Sequence, residues 1–194
     1  MARQIRTPRF LNPVHIFICE DTKSSKYYME GLGKAKNINI KAEKAYGTSP
    51  ENVYETAKDK LSLFRDKGIA KIYCLFDKDD CLDDKFNKII AQCRKKEIIP
   101  AFSIPCYEYW LLLHLRKTNK PFANAQECCE VFRTEYNKHF GTNYEMNTLK
   151  SRKDIFNDLK DKLDTAISNA EQLNLNERED PYTNMHKIIK DIID

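Results

Sequence analysis

The sequence predicts an α/β fold, a largely parallel sheet with helices on both faces, followed by a helical C-terminal region. Short continuous apolar runs, typical of strands buried on both faces, alternate with segments whose apolar residues recur at helical spacing. Later in the chain, every amphipathic segment has helical spacing. We therefore expect an α/β core in residues 1–118 and a helical extension, packed on that core, in residues 119–194.

Two of the apolar runs end abruptly in acidic residues. A strand is predicted over 14–19, and Glu20 follows it directly. Another is predicted over 69–76, followed by Asp77 and Asp79. The carboxyl ends of parallel strands meet at one edge of a sheet, so these side chains are expected to gather there.

The other strands and helices of the core are predicted from apolar–polar alternation and from residues that cap or terminate helices. A strand over 98–103 contains a proline, which indicates a sheet edge or a strand start. A further strand is predicted over 38–42. The predicted core helices run from Thr22 or Ser24 to about Leu32 with Gly33 as terminator, from Pro50 to Gly68, and over 84–96.

The chain changes character after Pro105. Residues 107–114 are apolar nearly all round, which predicts a buried helix. Beyond it, amphipathic helices are predicted over 125–137 and 150–173, and Pro181-Tyr182-Thr183 is expected to start a last helix.

Composition indicates a soluble, charged globular protein. Hydrophobic residues make up 41% and charged residues 32% of the 194 residues, and the formal net charge is only +4. A field that attracts nucleic acid must therefore come from local clusters, such as Arg3, Arg6 and Arg9. No secretory apolar core and no membrane-spanning run is present, so a cytoplasmic protein without a membrane partner is expected.

Seven scattered cysteines are an odd count without zinc-finger spacing, which favours a reducing compartment. Some of them, such as Cys19 and Cys74, lie within apolar runs, where a thiol packs as a small hydrophobe. Buried packing is therefore a better interpretation than redox or metal chemistry.

Glu20, Asp77 and Asp79 are the candidate catalytic and metal-binding residues. Clustered carboxylates raise one another's pKa unless a cation compensates them, and hard oxygen ligands suit Mg²⁺, with Mn²⁺ as a substitute. Asp-x-Asp spacing past a strand would turn both side chains to one side, and Lys78 between them could face a phosphate. Acidic turns are also common at strand ends, so each acid alone is weak evidence.

Glu108 is a fourth candidate, since a carboxylate within a helix of Tyr, Trp and Leu costs several kcal/mol unless something compensates it. An internal hydrogen bond or ion pair and a further metal or water ligand are both open. His114 is interpreted as a core or helix-end histidine rather than a catalytic base.

Four stretches of the chain occur in a recognisable order. They are Ile16-Phe17-Ile18-Cys19-Glu20, Phe76-Asp77-Lys78-Asp79, Pro105-Cys106-Tyr107-Glu108-Tyr109-Trp110-Leu111-Leu112-Leu113-His114, and Pro181-Tyr182-Thr183 ahead of His186. Together they resemble the RloB-like family over nearly the whole chain, most specifically around Glu108. The family occurs beside restriction and antiphage-defence genes, and its core is similar to the Toprim fold of primases, topoisomerases and overcoming-lysogenization-defect nucleases.

The resemblance implies a role for each acid. Glu20 would be the Toprim glutamate, a ligand or proton shuttle, and Asp77 with Asp79 the Mg²⁺-binding pair. The chain departs from the family after Glu20, where Asp21-Thr22-Lys23-Ser24-Ser25 replaces a glycine and a Lys-Thr-Glu-Pro-like stretch. Asp180 replaces the usual asparagine before Pro181. A phosphate contact by Lys23 is therefore the least supported of the implied roles.

The resemblance favours a Mg²⁺-dependent nuclease of the Toprim class acting in antiphage defence. RNA is favoured over DNA as substrate, with transfer RNA a candidate, because related defence nucleases are thought to cut it. The alternative is a non-catalytic subunit that binds nucleic acid or a partner ATPase encoded nearby. A phospho-acceptor receiver domain fits worst, since it needs an acid pair on the first strand. A homo-oligomer is left open, and activation by a partner or signal is expected.

Overall fold

The structure, a computed structural model, describes residues 13–20, 23–64, 69–173, 176–177 and 179–194. Within them one sheet has the order β2-β1-β3-β4-β5, in which the first four strands are parallel and β5 is antiparallel to β4. This confirms the α/β fold with a largely parallel sheet. The strands are β1 (Val14–Cys19), β2 (Ile40–Lys44), β3 (Ile69–Asp77), β4 (Ile99–Ile104) and β5 (Tyr182–Thr183).

Helices cover both faces of the sheet and form most of the C-terminal region. A buried helix follows Pro105, as predicted, and each of its residues from Glu108 to Leu113 is buried. The described helices are α1 (Ser24–Lys36), α2 (Pro50–Phe64), α3 (Asp83–Lys95), α4 (Glu108–Leu113), α5 (Ala125–Phe140), α6 (Met146–Lys150), α7 (Ile155–Leu159), α8 (Leu163–Leu173) and α9 (Met185–Ile193), with a 3₁₀ turn at Lys160–Lys162.

Alternation along the strands divides the core into two clusters. Ile16 and Ile18 of β1 pack with α2 and α3 on what we call the α2–α3 face. Phe17 and Cys19 point to the opposite side and pack with α1, α4 and the C-terminal helices, on the α1–α4 face. The helical region beyond residue 118 therefore lies mainly on one side of the sheet.

The end of α1 differs from the prediction. Gly33 lies inside the helix, which ends at Asn37 in the left-handed conformation (φ 55°). A Cβ atom at Gly33 would lie 2.9 Å from the carbonyl oxygen of Ile38 and 3.0 Å from the Cβ of Ile40. The glycine is therefore needed for the close approach of α1 to the chain entering β2, and not for a cap.

The prediction of one helix over 150–173 is wrong. A turn at 151–154 separates α6 from α7, and the 3₁₀ turn precedes α8. In this turn Arg152 extends its guanidinium to the carboxylate of Asp158, at 2.7 Å, and to the hydroxyl of Tyr144, at 3.1 Å. These side-chain bonds stabilise the break while Ile155 and Phe156 remain buried, so apolar periodicity alone does not reveal it.

The predicted helix start at Pro181-Tyr182-Thr183 is also wrong, because Tyr182 and Thr183 form β5. The side chain of Asn184 accepts the backbone N–H of Phe102 (2.9 Å) and donates to the carbonyl oxygen of Pro100 (2.8 Å). These bonds satisfy backbone groups of β4, and α9 begins only afterwards.

Candidate functional site

Glu20 and Asp77 lie side by side beyond the carboxyl ends of β1 and β3. These strands are neighbours, and the backbone N–H of Glu20 donates to the carbonyl oxygen of Leu75 at 3.1 Å. The Glu20 carboxylate in turn accepts the backbone N–H of Asp77, with Oε2 and N 3.3 Å apart. Two carboxyl groups far apart in sequence are therefore adjacent at one sheet edge.

A small pocket of about 130 Å³ opens at this point. Among the described residues that line it, three carboxyl groups face one ammonium group, an excess of two negative charges when all are ionised. Its volume corresponds to roughly four water molecules, which suits a hydrated ion better than a nucleoside. The charged lining residues are Glu20, Asp77, Glu108 and Lys150.

Glu108 has its compensation inside the fold. It is 2% exposed, and its Oε1 accepts the hydroxyl of Ser24 at 3.0 Å and lies 3.4 Å from the ammonium of Lys150. The thiol of Cys129 donates to Oε2 at 3.5 Å. The internal ion pair and hydrogen bonds that the sequence left open are therefore present, and they compensate the buried carboxylate.

Lys150 is the functional candidate that the sequence does not reveal. It is the last residue of α6, and it enters the pocket from the C-terminal helical region. Burial lowers its pKa, but Glu108 and the sulfurs of Cys129 and Cys106 raise it by more, so the net pKa lies above the ordinary value. The side chain is therefore a permanent cation beside the acids. From the sequence, an acid at position 108 in an apolar helix indicates that a compensating partner is needed, but it does not identify Lys150 as that partner.

Asp79 is not among the described residues that line the pocket. β3 ends at Asp77, and Asp79 occupies a left-handed turn (φ 38°) with its side chain exposed. The strand alternation that would have aligned the two aspartates therefore stops before the second. The pKa of Asp79 is raised, first by partial desolvation and then by the charge of Asp80, while Lys150 opposes the rise. Asp79 thus still interacts with the lysine of the pocket.

The basic residues that were predicted to contact phosphate or nucleic acid do not gather at the pocket within the described part of the chain. Lys78 forms an ion pair with Asp83, at 2.8 Å. Lys23 is exposed at the start of α1. Neither residue lines the pocket as described. The predicted nucleic-acid contacts Arg3, Arg6 and Arg9 lie outside the described residues.

His114 is structural, as predicted. Its Nδ1 lies 3.1 Å from the carbonyl oxygen of Trp110 and its Nε2 lies 2.9 Å from the hydroxyl oxygen of Tyr28. A carbonyl oxygen accepts only, so Nδ1 carries the proton and Nε2 accepts from Tyr28. Complete burial lowers the pKa of His114 to about 4, which keeps the ring neutral.

The cysteines are mostly buried, as expected, and Cys81 alone of the seven is partly exposed. Two of the buried cysteines, Cys106 and Cys129, however, lie beside Glu108 of the pocket. The sulfurs of Cys106 and Cys129 are 3.9 Å apart. Hydrogen bonding to Cys106, burial and the charge of Glu108 raise the pKa of Cys129, so it is a thiol at neutral pH and not an activated nucleophile.

Larger grooves lie away from the acid-lined pocket. One, of about 590 Å³, runs between β4 and α9. Another, of about 750 Å³, runs between α1 and α7 and has four lysines along it against two acids. These lysines are Lys26, Lys34, Lys153 and Lys160.

The fold and the site define an α/β protein with an acid-lined pocket beyond two neighbouring parallel strands. The model of the RloB-like protein family matches residues 16–192, nearly the whole chain, so the protein belongs to this family. The comparisons with curated proteins and with solved structures found no match. No helix in the described ranges has both the length and the apolar character needed to cross a membrane.

Proposed function

We propose that this RloB-like protein is a Mg²⁺-dependent nuclease of the Toprim class that acts in antiphage defence, with RNA favoured over DNA. The observation that carries the proposal is the pocket in which Glu20, Asp77 and Glu108 meet Lys150. An excess of negative charge in a pocket that holds roughly four water molecules favours a divalent cation that keeps part of its hydration shell. The donors are carboxylate oxygens, which fit Mg²⁺ and Mn²⁺.

Each residue has a role in the proposed hydrolysis of a phosphodiester. Asp77, with Asp79 on the turn beyond it, holds the cation, and Glu20 completes the site or carries a proton. The chemistry that bound Mg²⁺ supplies is neutralisation of phosphate charge and activation of water. Lys150 places a fixed positive charge where the charge on the phosphate oxygens increases. Glu108 holds Lys150 in position through their ion pair.

The proposal is tested with total RNA, transfer RNA and plasmid DNA, each incubated with the purified protein and Mg²⁺ or Mn²⁺. Cleavage should require the metal and fall by about 100-fold or more in Glu20→Gln and in Asp77→Asn/Asp79→Asn. Asp161→Asn, which removes an exposed acid far along the chain, is the matched control and should cut normally. If nothing is cut even with the neighbouring gene product added, a binding or regulatory subunit is the better description.

The groove between α1 and α7 supports a nucleic-acid substrate. Its four lysines lie along the helix whose first residue, Ser24, bonds Glu108 in the pocket, and along the segment that follows Lys150. A phosphate backbone bound there would run past the acids. Lysines on helices are commonly just solvated, so the charge of the groove needs its own test.

Lys153→Glu/Lys160→Glu should weaken binding of single-stranded RNA and reduce the dependence of log K on log salt by about two phosphate contacts, roughly 1.4 units of slope. Lys88→Glu/Lys95→Glu makes the same charge change on α3, on the other face of the sheet. Equal losses in the two double variants, measured by fluorescence anisotropy across a salt series, would show a general charge effect and no role for the groove.

A further inference from the structure

We propose that Cys106, Glu108 and Cys129 form a second metal site, one that binds a thiophilic divalent cation such as Zn²⁺ beneath the acid-lined pocket. One ligand atom from each residue lies within 4.8 Å of the other two, and all three side chains are buried. The residues come from the segment before α4, from α4 and from α5, which are brought together only by the fold. This site shares Glu108 with the acid-lined pocket but has a different set of ligands, and it does not depend on nuclease activity.

The distances match a tetrahedral ion. With zinc–sulfur and zinc–oxygen bonds of ordinary length, tetrahedral geometry separates two sulfurs by about 3.8 Å and a sulfur from an oxygen by about 3.5 Å. The sulfurs of Cys106 and Cys129 are 3.9 Å apart, and Cys129 Sγ lies 3.5 Å from Glu108 Oε2. Two of the three ligand–ligand distances are therefore at the required length, and the third, between Cys106 and Glu108, is at most 4.8 Å, so a small movement of these two side chains would complete the site.

The carboxylate is oriented as a metal ligand would be. Its Oε1 is held by the hydroxyl of Ser24 and the ammonium of Lys150, which leaves Oε2 directed toward the sulfurs. Ligating carboxylates in metal sites are commonly fixed in this way by hydrogen bonds to the oxygen that does not bind.

The charges also balance. Both thiols release their protons to solvent when the ion binds. A divalent cation, two thiolates, the Glu108 carboxylate and the Lys150 ammonium then sum to zero, so the occupied cluster buries no net charge. Three protein ligands leave one tetrahedral position for water, and soft thiolates select zinc or cadmium over magnesium. The site therefore discriminates against the cation proposed for the neighbouring acids.

The test measures metal binding to the full chain under reducing conditions in a Cys81→Ser background, which removes the partly exposed thiol. After treatment with a chelator, Cd²⁺ should produce thiolate-to-metal charge-transfer absorbance that saturates at one ion per chain, and Zn²⁺ should displace it. Zn²⁺ should also raise the midpoint of thermal unfolding by several degrees. Saturation by Mg²⁺ should have no effect on either signal.

The variants separate this site from an ordinary pair of buried thiols. Cys106→Ala/Cys129→Ala should abolish the absorbance, and Glu108→Gln should weaken Cd²⁺ binding at least tenfold. Cys74→Ala/Cys93→Ala removes another buried pair, on the α2–α3 face, and should leave binding unchanged. If the first double variant does not fold, the parent protein still decides the question. Absence of one-to-one charge-transfer absorbance in it, or its persistence in Glu108→Gln at full affinity, overturns the proposal.

Discussion

The α2–α3 face and the α1–α4 face of the sheet are covered by different kinds of side chain. On the α2–α3 face, apolar residues of β1, β3 and β4 meet apolar residues of two helices. On the α1–α4 face, the elements that cover the sheet also bury Glu108, His114 and His186. Among the described residues of α2 and α3, no acid or histidine is fully buried, and Glu51 of α2, whose carboxylate oxygens are covered, is partly exposed and pairs with Lys85 at 2.7 Å.

This difference distinguishes the side chains needed to pack the sheet from those needed to form the pocket. Two amphipathic helices cover a sheet face with apolar contacts alone, so a buried carboxylate is not required for the sheet to pack. Glu108 is nevertheless buried on the face that also supplies Lys150, at considerable desolvation cost. The burial of Glu108 beside Lys150 is therefore best explained by the pocket that both residues line, whereas His114 belongs to the core of this face. Three stability measurements can test this view.

The largest effect is expected from Lys150→Met. Removing the ammonium leaves the Glu108 carboxylate buried without its cation, and we expect the free energy of unfolding in urea to fall by about 3 kcal/mol. This is the low end for buried pairs because the Lys150 side chain is 28% exposed. Glu108→Gln/Lys150→Met should recover much of the loss, and strictly additive single losses would contradict the assigned pairing.

The second effect, of similar size, is a pH dependence that originates from His114. Its pKa is about 4 in the folded protein against 6.5 ordinarily, so between these values the unfolded chain binds a proton that the folded chain does not. Stability should therefore fall as the pH decreases from about 6.5 to about 4, by about 3 kcal/mol in total from this residue. Urea unfolding across this range should show a shallower pH slope in His114→Gln, and parallel slopes would refute the assignment.

The smallest effect is expected on the other face, from Arg94→Ala. Arg94 of α3 pairs with Glu177 at 3.1 Å, but both side chains are about half exposed. Water and salt screen such a pair, so the unfolding free energy should change by less than about 1 kcal/mol. A loss comparable to that of Lys150→Met would mean that the two faces do not differ as described.

The parts of the site closest to the strands could be predicted from the sequence. Continuous apolar runs identified β1 and β3, and their abrupt endings located Glu20 and Asp77 at the same sheet edge. The anomaly of Glu108, an acid in an apolar helix, was also visible. These inferences depend on neighbouring residues in the chain, where periodicity is informative.

The remaining parts depend on contacts between distant segments. Lys150 lies 42 positions beyond Glu108 in the chain, and no local pattern distinguishes it from the other basic residues of this protein. Asp79 itself has a left-handed backbone conformation beyond the end of β3, which no sequence pattern indicated. The two-residue strand β5 is too short for alternation to reveal it, since it is defined by its bonds to β4.

β5 and Asn184 also bear on how copies of this chain avoid one another in a crowded solution. An open strand edge invites another chain to add its own strand, and here the outer edge of β4 is occupied by β5 and by the side chain of Asn184. The opposite edge, β2, has the sequence Ile-Lys-Ala-Glu-Lys, whose charged residues disfavour edge-to-edge association. Both ends of the sheet are thus protected against aggregation, one by the protein's own C-terminal segment and the other by charge.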